Sequence, residues 1–300
     1  MGCRLRYYVS FFPTAIEEFD LHGFDLVISS SHCVAKGVIV PPGIPHISYI
    51  HSPMRYVWDM YRQYFQGSGI LQKFVIPFFA NYLRMWDSAS ATRVDQYVVN
   101  SKFVAERVRR YYGRDSIVIN PPCGDSTYQI PTQKRDDFYL VFGAFVPYKR
   151  LDLAIQACKN LNRRLIVAGH GPELKKLKSL AGNDNHIEFI ERPSNDQAKQ
   201  LFETTKALIF PGVEDFGIVP VEAQQKYCPV IALGHGGALE TVVHLKTGYL
   251  FKEQNVESLT DAILEFEKLT LKPADFKKNV SKFSTISFKQ EMLKIIQRFY

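Results

Sequence analysis

Cysteine is scarce in this sequence and never paired. The chain has 300 residues and only five cysteines, an odd number, and no two of them form a C-x-x-C pair. They are Cys3, Cys33, Cys123, Cys158 and Cys228. Zinc sites and disulfide frameworks need cysteines in pairs. The scatter therefore argues against zinc and predicts reduced thiols in a cytoplasmic setting.

Long apolar stretches are also missing. The longest, Phe74–Ala80, contains Pro77 and is far shorter than the roughly 20 residues of a membrane-spanning helix. The start of the chain, Met1–Arg6, has no apolar segment of the kind found in signal peptides. Arg6 also occupies the position where a myristoylation signal needs Ser or Thr. We therefore expect any membrane contact to be peripheral.

Acidic residues are fewer than basic ones. The chain has 30 Asp and Glu against 37 Lys and Arg, a formal net charge of +7, and a pI near 9.0. This surplus suits nucleotide diphosphates, anionic lipid surfaces or nucleic acid, and charge alone does not choose among them. With 46% hydrophobic and 22% charged residues, the chain is expected to be globular and long enough for two domains.

Short apolar runs alternate with helical patterns along the whole chain. The predicted strands lie at residues 25–29, 46–50, 96–100 and 116–119, and then at 139–142, 165–168, 187–190, 207–210, 230–232 and 248–251. Buried strands that alternate with helices imply parallel sheets covered on both faces. We predict an α/β fold with a first domain at 1–133, a six-stranded doubly wound domain at 134–283, and a last helix within 284–300.

The stretch Phe210–Ala223 combines a strand end, a tight loop and a helix start. Pro220 suits the first helical position, because its missing N–H has no partner there anyway. Phe216, Gly217 and Ile218 would then lie just before the helix with free N–H groups. Unpaired N–H groups and the helix dipole both favour negative charge, so we predict an anion site.

Charged side chains surround this predicted anion site. Glu214 and Glu222 flank it with seven residues between them, one on the loop and one in the first turn. Lys149 and Arg150 follow another strand and point to the same edge of a doubly wound sheet. A cation there would neutralise the charge that builds on a departing diphosphate. Amides that bind an anion, beside carboxylates left to bind hydroxyls, describe a phosphorylated sugar better than a hydride carrier.

These residues resemble a known family. Glu214, seven residues, then Glu222, with Phe216 and Gly217 between them, are similar to the E-x7-E element of retaining family-4 glycosyltransferases of the GT-B architecture. Further similar segments are Asp25–His32, His51–Asp59, Val146–Ile155, Gly169–Glu173 and Gly236–Val242. Together they resemble the bacterial O-antigen mannosyltransferase branch over nearly the whole chain.

The resemblance implies a fold and roles for individual residues. Two Rossmann-like domains would face each other across a cleft, and the last helix would cross back to the first domain. Glu222 would bind ribose hydroxyls, Glu214 would bind sugar hydroxyls or stabilise an oxocarbenium-like centre, and His51 would lie near the transferred sugar. Retaining glycosidases use two carboxylates about 5 Å apart. With Glu214 alone near the anomeric carbon, we expect front-face transfer.

The complete predicted site follows from these roles and from the strand ends. The catalytic residues are Glu214, His51 and Lys149, and the donor-binding residues are Gly143, Lys149, Arg150, Glu191, Phe216, Gly217, Ile218 and Glu222. No Asp-x-Asp occurs, so we expect metal independence and no cofactor. The expected partners are a nucleotide-sugar donor such as GDP-mannose and a lipid-linked or polysaccharide acceptor, and not nucleic acid.

A predicted helical insertion at residues 54–65 and 73–91 mixes basic and aromatic side chains. They are Arg55, Tyr56, Trp58, Tyr61, Arg62, Tyr64, Phe65, Lys73, Phe74, Phe78, Phe79 and Arg84. A basic aromatic surface suits a lipid-linked acceptor at the cytoplasmic face of a membrane. A helical pair whose aromatic rings belong to the core explains the same composition equally well.

Ordinary structural explanations stand beside the functional ones. Lys149 is then a solvated helix-start residue, Glu214 a surface acid and Glu222 a first-turn acid stabilised by the helix dipole. Many family members have an arginine shortly before the lysine, and here only Arg150 is available as the second diphosphate cation. Members also begin with a strand, a glycine-rich loop and a helix, so we expect the first domain to be incomplete. The alternatives are a fragment that binds nucleotide-sugar without turnover and, on charge alone, a nucleic-acid binder.

Overall fold

The chain folds into two compact units, each built on a parallel sheet. The computed structural model describes residues 9, 11–61, 70–123 and 135–300, and for 70–73 only the backbone. One unit comprises Met1–Asn120 with Gln290–Tyr300, and the other Pro121–Lys289. The predicted boundary after residue 133 falls outside the described residues. The predicted α/β class is confirmed, since both sheets are parallel and helices alternate with the strands.

The sheet of the first unit has four parallel strands in sequential order. They are β1 Val27–Ser31, β2 His46–Ile50, β3 Gln96–Val99 and β4 Ile117–Val118. Every residue of β2 is buried, as expected of a strand covered on both faces. Each strand lies within two residues of its predicted bounds.

Three α-helices accompany this sheet in the described part of residues 1–120. They are α1 Phe12–Glu17, α2 Ile70–Ala89 and α3 Lys102–Tyr112. Ser101 caps α3 as predicted, because its hydroxyl accepts a hydrogen bond from the Val104 N–H. The helix ends at Gly113, which adopts the left-handed conformation (φ 62°) that glycine tolerates best.

The predicted helix at residues 54–65 does not form over residues 54–60. Residues 55–60 form turns instead, residue 61 is helical, and 62–69 lie outside the described residues. Met54 is fully buried, and the indole N–H of Trp58 donates to Asp87 at 2.8 Å. The turn places both side chains inward, so tertiary contacts override the local helical pattern.

The sheet of the second unit has six parallel strands. They are β5 Tyr139–Ala144, β6 Leu165–His170, β7 Ile187–Glu191, β8 Ala207–Phe210, β9 Val230–Leu233 and β10 Gly248–Phe251. Their order across the sheet is β10-β9-β8-β5-β6-β7. The order reverses between β5 and β8, which is the topological switch point of a doubly wound sheet. All six predicted strands are confirmed within two residues.

Helices cover both faces of this sheet. They are α4 Leu151–Asn160, α5 Leu174–Ala181, α6 Asn195–Thr204, α7 Ile218–Gln225, α8 Ala238–Thr241, α9 Val256–Phe266 and α10 Pro273–Val280. Successive residues of β5 belong to different hydrophobic clusters, Tyr139 and Val141 to one and Leu140 to the other. This alternation shows that the sheet is buried on both faces.

The helix start that we predicted at Pro220 lies two residues earlier. Gly217 is the N-cap of α7, so Ile218 is the first helical residue and Pro220 the third. Proline is tolerated there because the first N–H groups of a helix have no carbonyl partner within it. The prediction that Ile218 precedes the helix is therefore wrong, and the placement of Phe216 and Gly217 before it is confirmed.

The last helix, α11, runs from Thr285 to Ile296. It buries Met292 and Ile295. That it crosses back to the first domain stays a prediction. Among the described residues, no helix combines the length and the apolar character that crossing a bilayer requires.

Candidate active site

The candidate site of the second unit lies at the switch point of its sheet. Lys149 is the last residue of a short 3₁₀ helix, Pro147–Lys149, that follows β5. Glu214 lies on the loop that follows β8, the neighbour of β5. Parallel neighbours release their loops at the same sheet edge, and Lys149 Nζ lies 2.7 Å from Glu214 Oε1. The side chains are only 13% and 19% exposed, so this ion pair is shielded from water.

Two glycines allow the lysine to reach this position. Gly143, near the end of β5, has a φ of 136°, and a β-carbon there would lie 2.9 Å from Lys149 Nζ. A β-carbon on Gly212 would lie 2.7 Å from the Cα of Lys149. Both separations are closer than non-bonded carbon and nitrogen atoms tolerate, so side chains at these two positions would displace Lys149.

The loop before α7 is held by the loop that follows β9. The N–H of Gly237 donates to the carbonyl of Glu214 at 2.9 Å. A β-carbon on Gly237 would lie 2.2 Å from the carbonyl oxygen of Phe216, so only glycine permits this approach. Phe216 is 3% exposed and packs edge-on against Phe283, with ring centroids 5.5 Å apart. The direction of the α7 N-terminus is therefore set by packed backbone.

Glu222 is the fifth residue of α7, on the helix that begins at the predicted anion site. Its side chain is exposed to solvent. The surrounding protein nevertheless removes part of the water from the carboxyl, and this desolvation raises the pKa of Glu222 above its ordinary value.

Arg150 and Glu191 have partners away from the Lys149–Glu214 pair. The Arg150 guanidinium contacts Asp152 at 3.1 Å, so the candidate for a second diphosphate cation is engaged by its own helix start. Glu191 ends β7 and pairs with Lys178 at 2.6 Å. Since β7 is three strands from β8, Glu191 lies on the order of 14 Å across the sheet from the pair.

His51 belongs to the first unit, directly after β2. Its ring Nε2 lies 2.8 Å from the hydroxyl oxygen of Ser30. The side-chain amide of Asn100 donates to the His51 carbonyl at 2.9 Å. The Tyr49 ring meets the imidazole edge-on, with centroids 5.2 Å apart. Backbone and ring are thus both held at the carboxyl end of the first sheet.

The residues that hold His51 in place were not predicted from the sequence. Ser30 is the last residue but one of β1 and Asn100 directly follows β3, the two strands on either side of β2. A polar residue at a strand end was the available signal. The burial of Arg107 could not be predicted from the sequence, because a basic side chain on a helix is usually exposed to solvent. In the structure Arg107 is buried, donates to the Ser52 hydroxyl at 3.3 Å and forms an ion pair with Asp59.

The groups brought together at the switch point are suited to anion chemistry. A shielded ammonium and the N–H groups of a helix start both stabilise negative charge on a leaving group. A carboxylate beside them is suited to accept hydrogen bonds from hydroxyls. Within the described ranges, no three His, Cys, Asp or Glu side chains lie close enough to hold a metal ion. Metal independence stays a prediction.

Comparison with known families covers nearly the whole chain. Residues 127–283 match the model described as glycosyl transferases group 1. Residues 1–126 match the model described as glycosyltransferase family 4. The first match contains Lys149, Glu214 and Glu222, and the second contains His51.

Curated relatives point in the same direction. The chain is 30% identical over 179 residues to an uncharacterised glycosyltransferase of Methanocaldococcus jannaschii, covering 59% of this chain and 50% of that one. It is 27% identical over 244 residues to mouse alpha-1,3/1,6-mannosyltransferase ALG2, covering 68% and 59%. It is 33% identical over 136 residues to a GDP-mannose-dependent alpha-(1-6)-phosphatidylinositol monomannoside mannosyltransferase of Mycobacterium tuberculosis, covering 40% and 35%. The chain thus spans about half the length of these relatives or less.

Solved structures agree on the fold. The sucrose-phosphate synthase of Thermosynechococcus elongatus superposes with a TM-score of 0.72 at 18% identity, covering 98% of this chain and 77% of that one. The chain has two α/β units, each with a parallel sheet, and it superposes on solved structures of this kind. Its fold is therefore GT-B. The family match over residues 127–283 includes the whole sheet and the candidate site of the second unit. The chain therefore belongs to the family of glycosyl transferases group 1.

Proposed function

We propose that the chain is a retaining hexosyltransferase that moves mannose from GDP-mannose onto a lipid-linked or polysaccharide acceptor, in cell-surface glycan synthesis of the O-antigen type. The observation that carries the proposal is the 2.7 Å contact between Lys149 and Glu214, on the loop that leads into α7. A sugar linked to a diphosphate needs a cation and a helix start to bind the diphosphate, and a carboxylate to bind the sugar hydroxyls.

Donor binding exchanges the partners of the ion pair. The diphosphate takes the place of the carboxylate on Lys149 Nζ and accepts hydrogen bonds from the N–H groups that begin α7. Glu214, released from the lysine, accepts hydrogen bonds from hydroxyls of the sugar. Glu222 does the same for the ribose hydroxyls.

The proposed transfer takes place on one face of the sugar. The bond between the anomeric carbon and the β-phosphate oxygen breaks, and the acceptor hydroxyl oxygen forms a bond to the same face of that carbon. The proton of this hydroxyl passes to the departing diphosphate oxygen. Lys149 and the α7 amides stabilise the negative charge that develops on the diphosphate, and Glu214 stabilises the positive charge on the sugar.

The relatives support the choice of donor. The mouse relative is named as a mannosyltransferase and the mycobacterial one as GDP-mannose-dependent. The O-antigen pathway rests on the resemblance of the sequence motifs alone.

A second candidate function is donor binding without turnover. It is favoured by the division of the site residues, because Lys149, Glu214 and Glu222 all lie in the unit Pro121–Lys289 and His51 lies in the other. The second unit by itself carries every side chain that we assign to the nucleotide and the diphosphate. Transfer would need both units, and binding only one.

A transfer assay with radiolabelled GDP-mannose tests the proposal. Wild-type protein and a lipid extract as acceptor should give labelled lipid-linked product, and Lys149→Ala should lower the rate about a hundredfold or more. The matched control is Lys176→Ala, which removes a lysine of the same unit whose side chain is 69% exposed. Its loss should change the rate by less than about twofold, as for other surface ion pairs.

Calorimetry with GDP-mannose separates the two candidates. Binding with transfer supports the hexosyltransferase, and binding without transfer to any acceptor supports the second candidate. If the wild-type protein neither binds nor transfers from any nucleotide-sugar, both proposals fail. Transfer from a uridine-linked sugar alone would overturn the choice of GDP-mannose.

A further inference from the structure

An apolar surface runs along one side of α2 in the first unit. It consists of six exposed side chains, Phe74, Val75, Phe78, Phe79, Tyr82 and Met85, which we call the α2 face. Phe78 is 77% exposed, Phe74 70% and Met85 59%. Single exposed apolar residues are common on protein surfaces, but a contiguous set of this kind marks a site of interaction.

The spacing of these residues makes the surface continuous. At 3.6 residues per turn, the six side chains fall within an arc of about 140°, and Phe74 to Met85 spans about 16 Å of helix. The opposite side of the helix carries Ala80, Leu83 and Asp87, all buried. The aromatic side chains at 74, 78 and 79 are therefore not core residues. The insertion's Arg62, Tyr64 and Phe65 lie outside the described residues, as does the side chain of Lys73.

Buried polar contacts determine which way α2 faces. Asp87 is fully buried and pairs with Lys36, which is also fully buried, at 3.1 Å. The Asp87 carboxylate also accepts hydrogen bonds from Trp58 at 2.8 Å and from the Tyr112 hydroxyl at 3.0 Å. Rotating α2 to bury its apolar face would expose this network and leave charges unpaired in the core. Within the described part of the first unit, the α2 face therefore remains exposed and available to a partner.

The charge around the α2 face favours an anionic partner. No charged side chain belongs to the face itself. Arg109 and Arg110 are exposed in the last turn of α3, whose end contacts the end of α2 through the hydrogen bond from Ser88 to the Tyr111 carbonyl. Residues 51–120 contain ten basic and five acidic residues. Asp59 pairs with Arg107, Asp87 with Lys36, and Arg93 with Glu17. Eight basic and three acidic residues of this stretch lie outside these pairs.

We infer that the α2 face docks on the surface of an anionic phospholipid membrane. Phenylalanine rings suit the boundary between headgroups and acyl chains, and neighbouring arginines gain from acidic headgroups. A second copy of the chain would bring the same positive charge to the interface, which disfavours self-association. The helix lies on the membrane and does not cross it, because only one of its sides is apolar. This inference rests on the proposed function in one respect. The proposed function explains why the protein would dock, which is to reach a lipid-linked acceptor.

Co-sedimentation with vesicles tests the inference without any donor. Wild-type protein should bind vesicles of phosphatidylcholine with phosphatidylglycerol more tightly than vesicles of phosphatidylcholine alone, and salt should weaken the binding. The double variant Phe74→Glu with Phe78→Glu should lower vesicle affinity about tenfold or more, since two buried rings are lost and two anions gained. Both residues are exposed, so the circular dichroism spectrum and the melting temperature should stay as in wild type.

Two further variants separate apolar docking from charge. Leu245→Glu with Leu264→Glu makes the same charge change at exposed apolar residues of the second unit, and affinity should stay within about twofold of wild type. Arg109→Gln with Arg110→Gln should lower affinity for the anionic vesicles about fivefold per arginine and leave phosphatidylcholine binding unchanged.

Several outcomes would overturn the inference. One is equal vesicle binding by the wild-type protein and the Phe74, Phe78 variant, and another is equal loss in the Leu245, Leu264 control. A dimer in solution that the Phe74, Phe78 variant dissociates, without vesicle binding by either protein, would assign the face to a second copy. Calorimetry with GDP-mannose should be the same for all variants, so a failure of docking is distinguishable from a failure of donor binding.

Discussion

At the residue scale, Lys149 and Glu214 are each other's partner at 2.7 Å. Because a donor diphosphate must compete with the carboxylate for the ammonium, the two residues have opposite effects on binding of the diphosphate. Lys149 strengthens the binding of GDP and Glu214 weakens it. When the sugar is present, both residues contribute to its binding and transfer.

Glu214→Gln separates these two effects. The variant keeps the shape of the side chain and removes its charge, so the GDP dissociation constant should stay equal to that of wild type or fall. The transfer rate should drop about a hundredfold, because the developing positive charge on the sugar loses its counter-charge. Calorimetry with GDP and single-turnover transfer measure the two quantities. Weaker GDP binding by the variant would contradict the exchange of partners.

Ser30 is the second residue that a mutation can test. Its hydroxyl lies 2.8 Å from His51 Nε2, within hydrogen-bond distance, and so holds the ring in its orientation. We expect Ser30→Ala to lower the transfer rate about fivefold, the equivalent of one net hydrogen bond, and to shift its pH profile. Ser30→Thr keeps the hydroxyl and should restore both. A fall in rate in both variants with the pH profile unchanged would assign Ser30 a packing role only.

At the element scale, polar side chains connect helices to strands. Arg135 is half-buried and donates to the carbonyls of Phe202, Thr205 and Lys226, so one guanidinium satisfies backbone carbonyls where α6 and α7 end. Glu267, which follows α9, plays the corresponding role with its carboxylate. It pairs with Arg163 at 2.8 Å.

The Glu267 cluster predicts a pH dependence of stability. Hydrogen bonds from Arg163, and then from Lys206 and Tyr139, lower the pKa of Glu267 from 4.5 to about 2. A pKa that folding lowers adds stability above the unfolded value, and this stability is lost as the pH falls from 4.5 to about 2. Urea unfolding over this range should show a shallower loss of unfolding free energy for Glu267→Gln than for wild type. Equal slopes for the two proteins would contradict the assignment.

At the scale of the whole molecule, charge and apolar surface are unevenly placed. The net charge is +7, yet many cations are engaged by carboxylates or carbonyls within the fold. Arg109 and Arg110, at the end of α3, are exposed. The alternative of a nucleic-acid binder has charge alone in its favour.

Much of the fold was predictable because it depends on local pattern. All ten predicted strands lie within two residues of their observed bounds, since buried parallel strands are continuous apolar runs. The failures occur where tertiary contacts decide. Trp58 is turned inward by Asp87, which lies 29 residues further along the chain. Likewise, α7 begins before Pro220 because backbone packing around Gly237 determines where the preceding loop ends.

The candidate site divides in the same way. The spacing of Glu214 and Glu222 and the glycines near them were visible in the sequence, because loops that bind anions need these residue types at these positions. Arg150 and Glu191 were predicted to bind the donor, and the structure shows their charges engaged by Asp152 and Lys178. Sequence patterns predict where a strand ends. They do not predict which residue a long charged side chain at that strand end will pair with.

By itself the sequence determined the α/β class, the strands and the identity of the groups at the strand ends, because each follows from short-range periodicity and residue chemistry. Only the tertiary structure decided that Lys149 meets Glu214, that Ser30 holds His51 and that the aromatic side of α2 faces outward. These three depend on strand order, on neighbouring sheet edges and on a buried ion pair between Lys36 and Asp87. All of them are contacts between residues far apart in the chain, and local preferences carry no information about such contacts.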